Sequence, residues 1–518
     1  MPAQSIQFSN IMKTRKTLLQ ICCLPTLLTF AAANLHAVAT TWNGSDGNWS
    51  TSANWSAGNP GYTTNHAIIQ EGNVTVNSAP LTAQYLLLVQ GANGAGKTAT
   101  LTINTGANLG MGTAADSQIG TAAGGTGTVI HNAGTVSFDR ALILGGTGSS
   151  NTGGTGTYTL NGGSFSVKND FIMGANTASS SNSYFNLNGG TATLSQNLKV
   201  GGARYTGSTG TPTNRANVKI TNGATLNVIG DYTHGLSTYP ASGTGSTGRI
   251  YATTEIIGSK ATINITGNLT LNDNIRNFST FAFTLDDGGV SKINLTGAGT
   301  ATLAGTLTAG FNGGLALTTT NRFTLIEANT GEITGSFATV PSSALWTTAT
   351  ETLAGNTRDA FVLTLNAAAK KGTTLDAAIA TNDTGTPAST TFAASTSGYV
   401  EITGLTPGQN ITLFLTADFG ASGKTAQDLA TWFTDNGIAA TALTGSGDYN
   451  LSIAKTATAT DTTAWLAWDL STFNTDFSAD AKISALGIAT TAIPEPATLA
   501  AFAALAILAF AALKRIKN

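Results

Sequence analysis

Between residues 128 and 228 polar and apolar positions alternate in short runs, and the runs recur. The segments Thr128–Phe138, Thr157–Val167, Tyr184–Leu194 and Val218–Val228 each read as a short strand, an Asn/Gly turn and a second short strand. After the first three a further strand ends in glycine, at Leu142–Gly145, Phe171–Gly174 and Leu198–Gly201. The turn glycines Gly134, Gly163, Gly190 and Gly223 recur at nearly even intervals, and Gly/Ser/Thr segments such as 175–183 and 203–214 take up the difference. Strands this short cannot bury an apolar side alone, but stacking one unit on the next creates a continuous core. The period-two pattern puts Val129, Val136, Phe138, Leu142, Leu144, Tyr158, Leu160, Phe165, Val167, Phe171 and Met173 inward. Corner glycines supply positive φ, and corner asparagines can hydrogen-bond along the stack. The expected fold is all-β: a parallel, right-handed β-helix or solenoid. A β-sandwich array is the alternative, because Asn-Gly turns also close antiparallel hairpins.

Weaker copies at Ala99–Gly106, Ala261–Gly267 and Lys292–Gly297 extend the repeats over 91–366. Residues 40–90 are expected to hold the first coils and a Trp-rich cap, since Trp42, Trp49 and Trp55 fall close together there. Those indoles have two readings. They can pack over the open end of the solenoid, as terminal repeats require, or form a sugar-stacking patch beside Asn43, Asp46 and Asn48. After Asn366 glycine thins out, Lys370-Lys371-Gly372 reads as a linker, and 367–490 reads as a β-rich module. Its strands are expected around Ile411–Leu415, Tyr449–Ile453 and Ala464–Leu470. One helix is predicted over Thr425–Asn436, where Thr425 and Asp428 form a capping box, Leu429, Trp432 and Phe433 share a face, and Asn436-Gly437 is a stop.

The two ends carry a different kind of signal. Residues 1–39 have the layout of a secretory signal peptide, with Lys13, Arg15 and Lys16, then the apolar stretch 18–33, then Ala37-Val38-Ala39 as a small-residue cleavage site. Both cysteines, Cys22 and Cys23, lie in it, so the chain from Thr40 onward has no thiol and no disulfide. Residues 497–513 are apolar apart from Thr498 and are followed by Lys514, Arg515 and Lys517. A helix of that length reaches ~25 Å, the short end of a membrane span. The basic tail is expected to stay on the cytoplasmic side of a single-pass C-terminal anchor.

Pro494-Glu495-Pro496 stands just before that stretch. The order of tripeptide, short apolar helix and basic tail over 493–518 resembles the PEP-CTERM sorting signal of Gram-negative bacteria. The resemblance implies a partner, an exosortase-type membrane protease that cuts near the tripeptide and releases or re-anchors the protein at the surface. The Gly-rich repeats, with Phe323–Ile326 and Ile333–Phe337 as closing coils, resemble autotransporter-type passenger solenoids. The Trp-rich opening is similar to that of many exported solenoid proteins. The C-terminus departs from the autotransporter pattern, because it lacks a series of ~10-residue alternating strands to serve as a translocator.

Composition narrows the candidate chemistry. Only 10% of residues are charged and 61 of 518 are glycine, which disfavours helical bundles, while 41% hydrophobic residues disfavour disorder. Loss of the three N-terminal cations takes the formal charge from -2 to -5, and loss of the tail cations to about -8. Such a surface offers no basic field for nucleic acid. Gly91-Ala-Asn-Gly-Ala-Gly96-Lys97-Thr98 satisfies the P-loop spacing, but alternating residues follow it where a phosphate-binding helix should open, so a strand corner and no nucleotide is expected. His66, His131 and His234 lack metal-ligand spacing and read as core or turn residues. Asp139-Arg140 and Lys168-Asn169-Asp170 occupy equivalent corners, where they are either a solvated edge or a stacked acid/base cluster of the kind a β-helical polysaccharide lyase or hydrolase would use. Asp286-Asp287 reads as a polar turn.

The expected function is a non-enzymatic structural or adhesion protein of the cell envelope or extracellular matrix, with the membrane, the sorting protease and extracellular polysaccharide as partners. No catalytic, cofactor-binding or metal-ligating residue is assigned; Pro494, Glu495 and Pro496 are the sorting motif, and Trp42, Trp49 and Trp55 the candidate glycan contacts. A carbohydrate-active β-helix enzyme and a carbohydrate-binding protein are the alternatives.

Overall fold

A computed structural model describes residues 38–490, apart from residues 62–64, 78–80, 147–152, 175–179, 203–212, 236–247, 275, 342–343, 356, 378–387, 445–447, 457–461 and 479. The predicted membrane helix 497–513, the sorting tripeptide Pro494 to Pro496 and nearly all of the expected signal peptide lie outside the described residues. Among the described residues no helix is long and apolar enough to cross a membrane.

From Asn65 to Leu295 the chain runs repeatedly through three long sheets, here called sheets 1, 2 and 3, placing one strand in each per turn; Val38–Thr41 and Gly47–Asn48 begin sheets 1 and 2, and Arg322–Asn329 continues sheet 3. One turn runs from Leu142–Leu144 in sheet 1 to Thr155–Leu160 in sheet 2 and Ser164–Val167 in sheet 3, and the next begins at Phe171–Met173 back in sheet 1. Each strand pairs in parallel with its equivalents in the turns before and after, as in Thr157 with Thr128 and Tyr184. This is a β-solenoid arrangement. The β-sandwich alternative fails because the Asn-Gly turns do not fold a strand back on its neighbour. They carry the chain around a corner from sheet 2 into sheet 3, as at Asn132 to Gly134 between Thr126–His131 and Thr135–Phe138.

All eleven side chains that the alternation places inward are buried, at most 2% exposed. Inside, the Phe165 ring lies 6.0 Å from that of Phe138 in the coil before it and 5.6 Å from that of Phe185 in the coil after it, so aromatic contacts run from coil to coil along the core. The predicted ladder of corner asparagines is present. Asn104 donates to Asn77, Asn132 to Asn104, Asn161 to Asn132 and Asn188 to Asn161, at 2.8 to 3.0 Å. A second ladder climbs the corner between sheets 3 and 1, through Asp170, Asn197, Asp231, Asn268 and Thr300. In the central coils these two corners are tight, three or four residues long, whereas the corner from sheet 1 to sheet 2 carries the insertions that make the period irregular.

At the C-terminal end of the stack, Arg322–Asn329 closes sheet 3 in parallel with Ile293–Leu295 and then pairs antiparallel with Arg358–Leu365, which pairs antiparallel with Trp346–Thr352. This hairpin covers the open sheet edge, which would otherwise template pairing with another chain. Beyond it lie a four-stranded and a five-stranded sheet with an apolar core of their own. The predicted helix, α1, spans Ala426–Asp435; Thr425 and Asp428 make the reciprocal capping box, and Leu429, Trp432 and Phe433 are buried. A second helix, α2 at Ser471–Phe477, is an addition to the expected single helix, and a segment this short with one fully buried side chain, Phe473, cannot show a period. The expected break at 366 is bridged. Leu315–Thr318, within the solenoid segment, pairs antiparallel with Ala464–Asp469 of the module, and Lys455 forms an ion pair with Asp287 at 2.8 Å.

The corner glycines separate close packing from mere backbone preference. Gly163 has φ +81°, and a Cβ there would lie 2.2 Å from the Gly134 carbonyl oxygen in the coil before it; Gly223 has φ +86° with open space around it. Gly163→Ala should therefore cost more than about 3 kcal/mol through a backbone clash added to strain, and Gly223→Ala only about 1–2 kcal/mol from the left-handed conformation. Urea unfolding followed by circular dichroism measures both; equal losses would mean that the corners are not in contact.

Candidate functional site

The N-terminal coil places Trp42, Trp49 and Trp55 together. Trp55 meets Trp42 and Trp49 edge-to-face, with ring centroids 5.0 and 4.9 Å apart, and its indole N–H donates to the Trp49 carbonyl at 2.8 Å. The three are 4%, 0% and 4% exposed. Rings buried against one another have no open face on which a sugar could stack, so this geometry matches the cap reading. The polar neighbours Asn43 and Asn48 are engaged locally as well: the Asn43 amide donates to the Ala53 carbonyl, and Asn48 accepts from Ser50.

Beside the cap a groove of about 420 Å³ opens between Trp42, Asn43, Gln70, Glu71, Gln90, Asn93 and Lys97. Its wall is the P-loop-like segment. Gly91 enters with φ +65°, a single 3-10 turn covers Ala92–Gly94, and Thr98–Ile103 continues as a strand of sheet 2. There is no helix N-terminus to hold a phosphate, and Lys97 instead lies 3.6 Å from Glu71. The Gln70 side chain is locked by two hydrogen bonds to the backbone of Gln90, both 3.0 Å. Sequence reasoning missed the groove because Gln70, Glu71 and Lys97 converge only when two coils stack, and they share no local spacing.

The corner carboxylates are brought together in a stack, as expected from their equivalent positions, and each meets a cation. Arg140 pairs with Asp116 at 2.8 Å, Lys168 with Asp139 at 2.7 Å, and Lys199 with Asp170, each across adjacent coils. Asp170 also accepts from the Asn197 amide in the corner ladder. Asp286 is no bare turn. Burial opposes its ionisation, but hydrogen bonds from Asn222, Ser259 and Gly288 outweigh that, and its carboxyl is held below the usual range. Its neighbour Asp287 accepts from the Leu317 amide and pairs with Lys455, fastening solenoid to module. Among the described residues no three His, Cys, Asp or Glu side chains converge as a metal site.

The histidines are dispersed. His66 stacks on Tyr85 with centroids 4.4 Å apart. His131 is buried with Nδ1 3.0 Å from the Tyr158 hydroxyl. His234 is fully buried, stacks on Phe281 at 4.8 Å and places Nε2 2.7 Å from the Thr254 hydroxyl. The chain thus defines a capped parallel β-solenoid joined to a two-sheet module. It matches no protein-family model, no curated protein and no solved structure.

Burial depresses the pKa of His234 to about 3 from 6.5. The unfolded chain therefore takes up a proton near pH 6.5 that the folded chain refuses, so stability is complete above that pH and falls as pH drops toward 3. Between pH 7 and pH 5 this one group should remove about 2 kcal/mol. Urea unfolding of the wild type and of His234→Gln at both pH values tests it: the variant should lose about 2 kcal/mol less, and parallel losses would show that the imidazole is not held neutral.

Proposed function

We propose that this chain is an exported, non-enzymatic protein of the cell envelope or extracellular matrix, in which a right-handed β-helix is the spacing or adhesive body and the C-terminal segment is an address. The observation that carries this reading is the use made of charge: the corner Asp, Lys and Arg side chains are joined between coils as ion pairs and amide ladders, so they hold the stack together. Ten or eleven strands per sheet give a body about 45 Å long, rigid along its axis because every coil is hydrogen-bonded to the next. Outward strand positions of sheet 2 are largely Thr and Asn, as at Thr126, Thr128, Thr155, Thr157, Thr159, Asn182 and Asn186, so the outer face is polar although only 10% of the residues are charged.

In this reading residues 1–39 direct export and are removed, Pro494, Glu495 and Pro496 mark the site for an exosortase-type protease, and 497–513 holds the protein in the membrane until that protease acts. The module at 367–490 then lies between solenoid and anchor, fastened to the solenoid by the strand Leu315–Thr318 and the Asp287–Lys455 pair.

Cell fractionation with intact-mass analysis, in cells with and without the sorting protease, tests the proposal. The expected product starts near Thr40, ends near Pro494, is found at the surface or in the medium, and is lost without the protease. A full-length product fixed in the inner membrane in both strains would mean that 497–513 is an ordinary anchor, and a cytoplasmic product would end the export reading.

A further inference from the structure

One row of outward positions on sheet 2 changes character partway along the stack. Strand register aligns Thr98, Thr126, Thr155 and Asn182 in successive coils, and the next three positions in the same row are Arg215, Tyr251 and Phe278. All three side chains point away from the core, since their flanking residues Asn214, Ala216, Ile250, Ala252, Asn277 and Ser279 are buried. The Tyr251 and Phe278 rings stack with centroids 4.9 Å apart at 14°. The Arg215 guanidinium lies 5.1 Å from the Tyr251 centroid and that of Arg249 lies 5.9 Å from the Phe278 centroid. A solvent-facing row of this sheet is stable with threonine, as the earlier coils demonstrate, so the aromatic and cationic side chains are not required by the fold.

Charge at the row also differs from the corners. Among the described residues Arg215 and Arg249 have no carboxylate partner, while Arg140, Lys168 and Lys199 are each paired with a corner or loop aspartate. The insertions 203–212 and 236–247, which precede the strands carrying these arginines, contain no Asp or Glu in their sequence. Glu255, farther along the same face, is hydrogen-bonded by Asn217 at 2.5 Å. A chain of net negative charge thus presents a strip with two uncompensated guanidinium groups over two stacked rings.

The two rings lie face to face and under the guanidinium groups, so they hold those groups at a fixed spacing along the row, and a guanidinium pairs in a planar, two-pronged way with a carboxylate. We propose that the row Arg215, Tyr251 and Phe278, with Arg249, is a binding platform for an anionic, uronate-type polysaccharide laid along the solenoid axis. The choice of a polysaccharide over a single-stranded nucleic acid, whose phosphates also pair with guanidinium groups, rests on the export reading above. Each coil adds one rung, so a chain running across coils meets Arg215, then Tyr251, then Phe278 in order.

Affinity electrophoresis of the purified native protein in gels containing polygalacturonate, neutral dextran or oligothymidylate tests this. Polygalacturonate should retard the wild type, and its Kd should rise at least tenfold in Arg215→Gln/Arg249→Gln and in Tyr251→Thr/Phe278→Thr. The second pair installs the residue that the same row carries in earlier coils, so thermal melts should stay those of the wild type. No retardation of the wild type, equal retardation by dextran, tighter binding of oligothymidylate, or unchanged Kd in both double variants would overturn the proposal. Fractionation of the same variants separates the two readings: wild-type sorting with lost polyuronate binding locates the effect in the row, and cytoplasmic retention of the wild type refutes export while leaving the binding result to stand or fall alone.

Discussion

Every coil must set its strand one hydrogen-bonding step, about 4.8 Å, from the strand before it in all three sheets at once. A coil that is too long at a tight corner breaks three ladders together, so in the central coils those corners are held to three or four residues and to side chains that tolerate close approach. Gly134 and Gly163 show the consequence, each with positive φ and with a carbonyl oxygen from the neighbouring coil 2.2 Å from where a Cβ would stand. Asparagine suits the same corner for the opposite reason: its amide is both donor and acceptor, so one side chain can bond upward and downward, as Asn132 and Asn161 do.

With two corners fixed, variation is confined to the third. The connections from sheet 1 to sheet 2 carry the P-loop-like segment before Thr98 and the long insertions before Thr213 and Arg249. The groove beside Lys97 and the row of Arg215, Tyr251 and Phe278 both adjoin that variable corner or the strands it feeds. Binding surfaces borne by loops on a rigid scaffold follow the same division between an invariant frame and a permissive edge. Ionisable groups at the tight corners are committed to their neighbours, as Asp139 is to Lys168, and surface chemistry is left to the faces and the variable corner.

Much of this was legible in the chain. Period-two alternation located the buried side chains from Val129 to Met173, and the recurring Asn-Gly turn located the ladder, because both features repeat from coil to coil. The capping box at Thr425 located the start of α1. What was not legible depends on contacts between distant segments. The groove needs Gln70 and Lys97 from different coils, the outward row needs the register between Arg215 and Tyr251, and the bridging strand Leu315–Thr318 finds its partner only at Ala464–Asp469, far along the chain. Helix α2 is too short to carry a pattern. The Trp cluster was visible by composition, but only the edge-to-face packing of the indoles distinguishes a buried cap from an open platform.

The spacing of the coils can be measured directly, because the chain beyond residue 39 has no cysteine and single sites can be labelled cleanly. Thr100 and Thr280 face outward in the same row of sheet 2, six coils apart by register although far apart in sequence. Spin labels on Thr100→Cys and Thr280→Cys, read by pulsed dipolar spectroscopy, should give one narrow distance distribution near ~29 Å, six steps of the strand spacing. A broad distribution, or a distance beyond about 45 Å where the repeats would lie as separate antiparallel units, would contradict a continuous parallel stack.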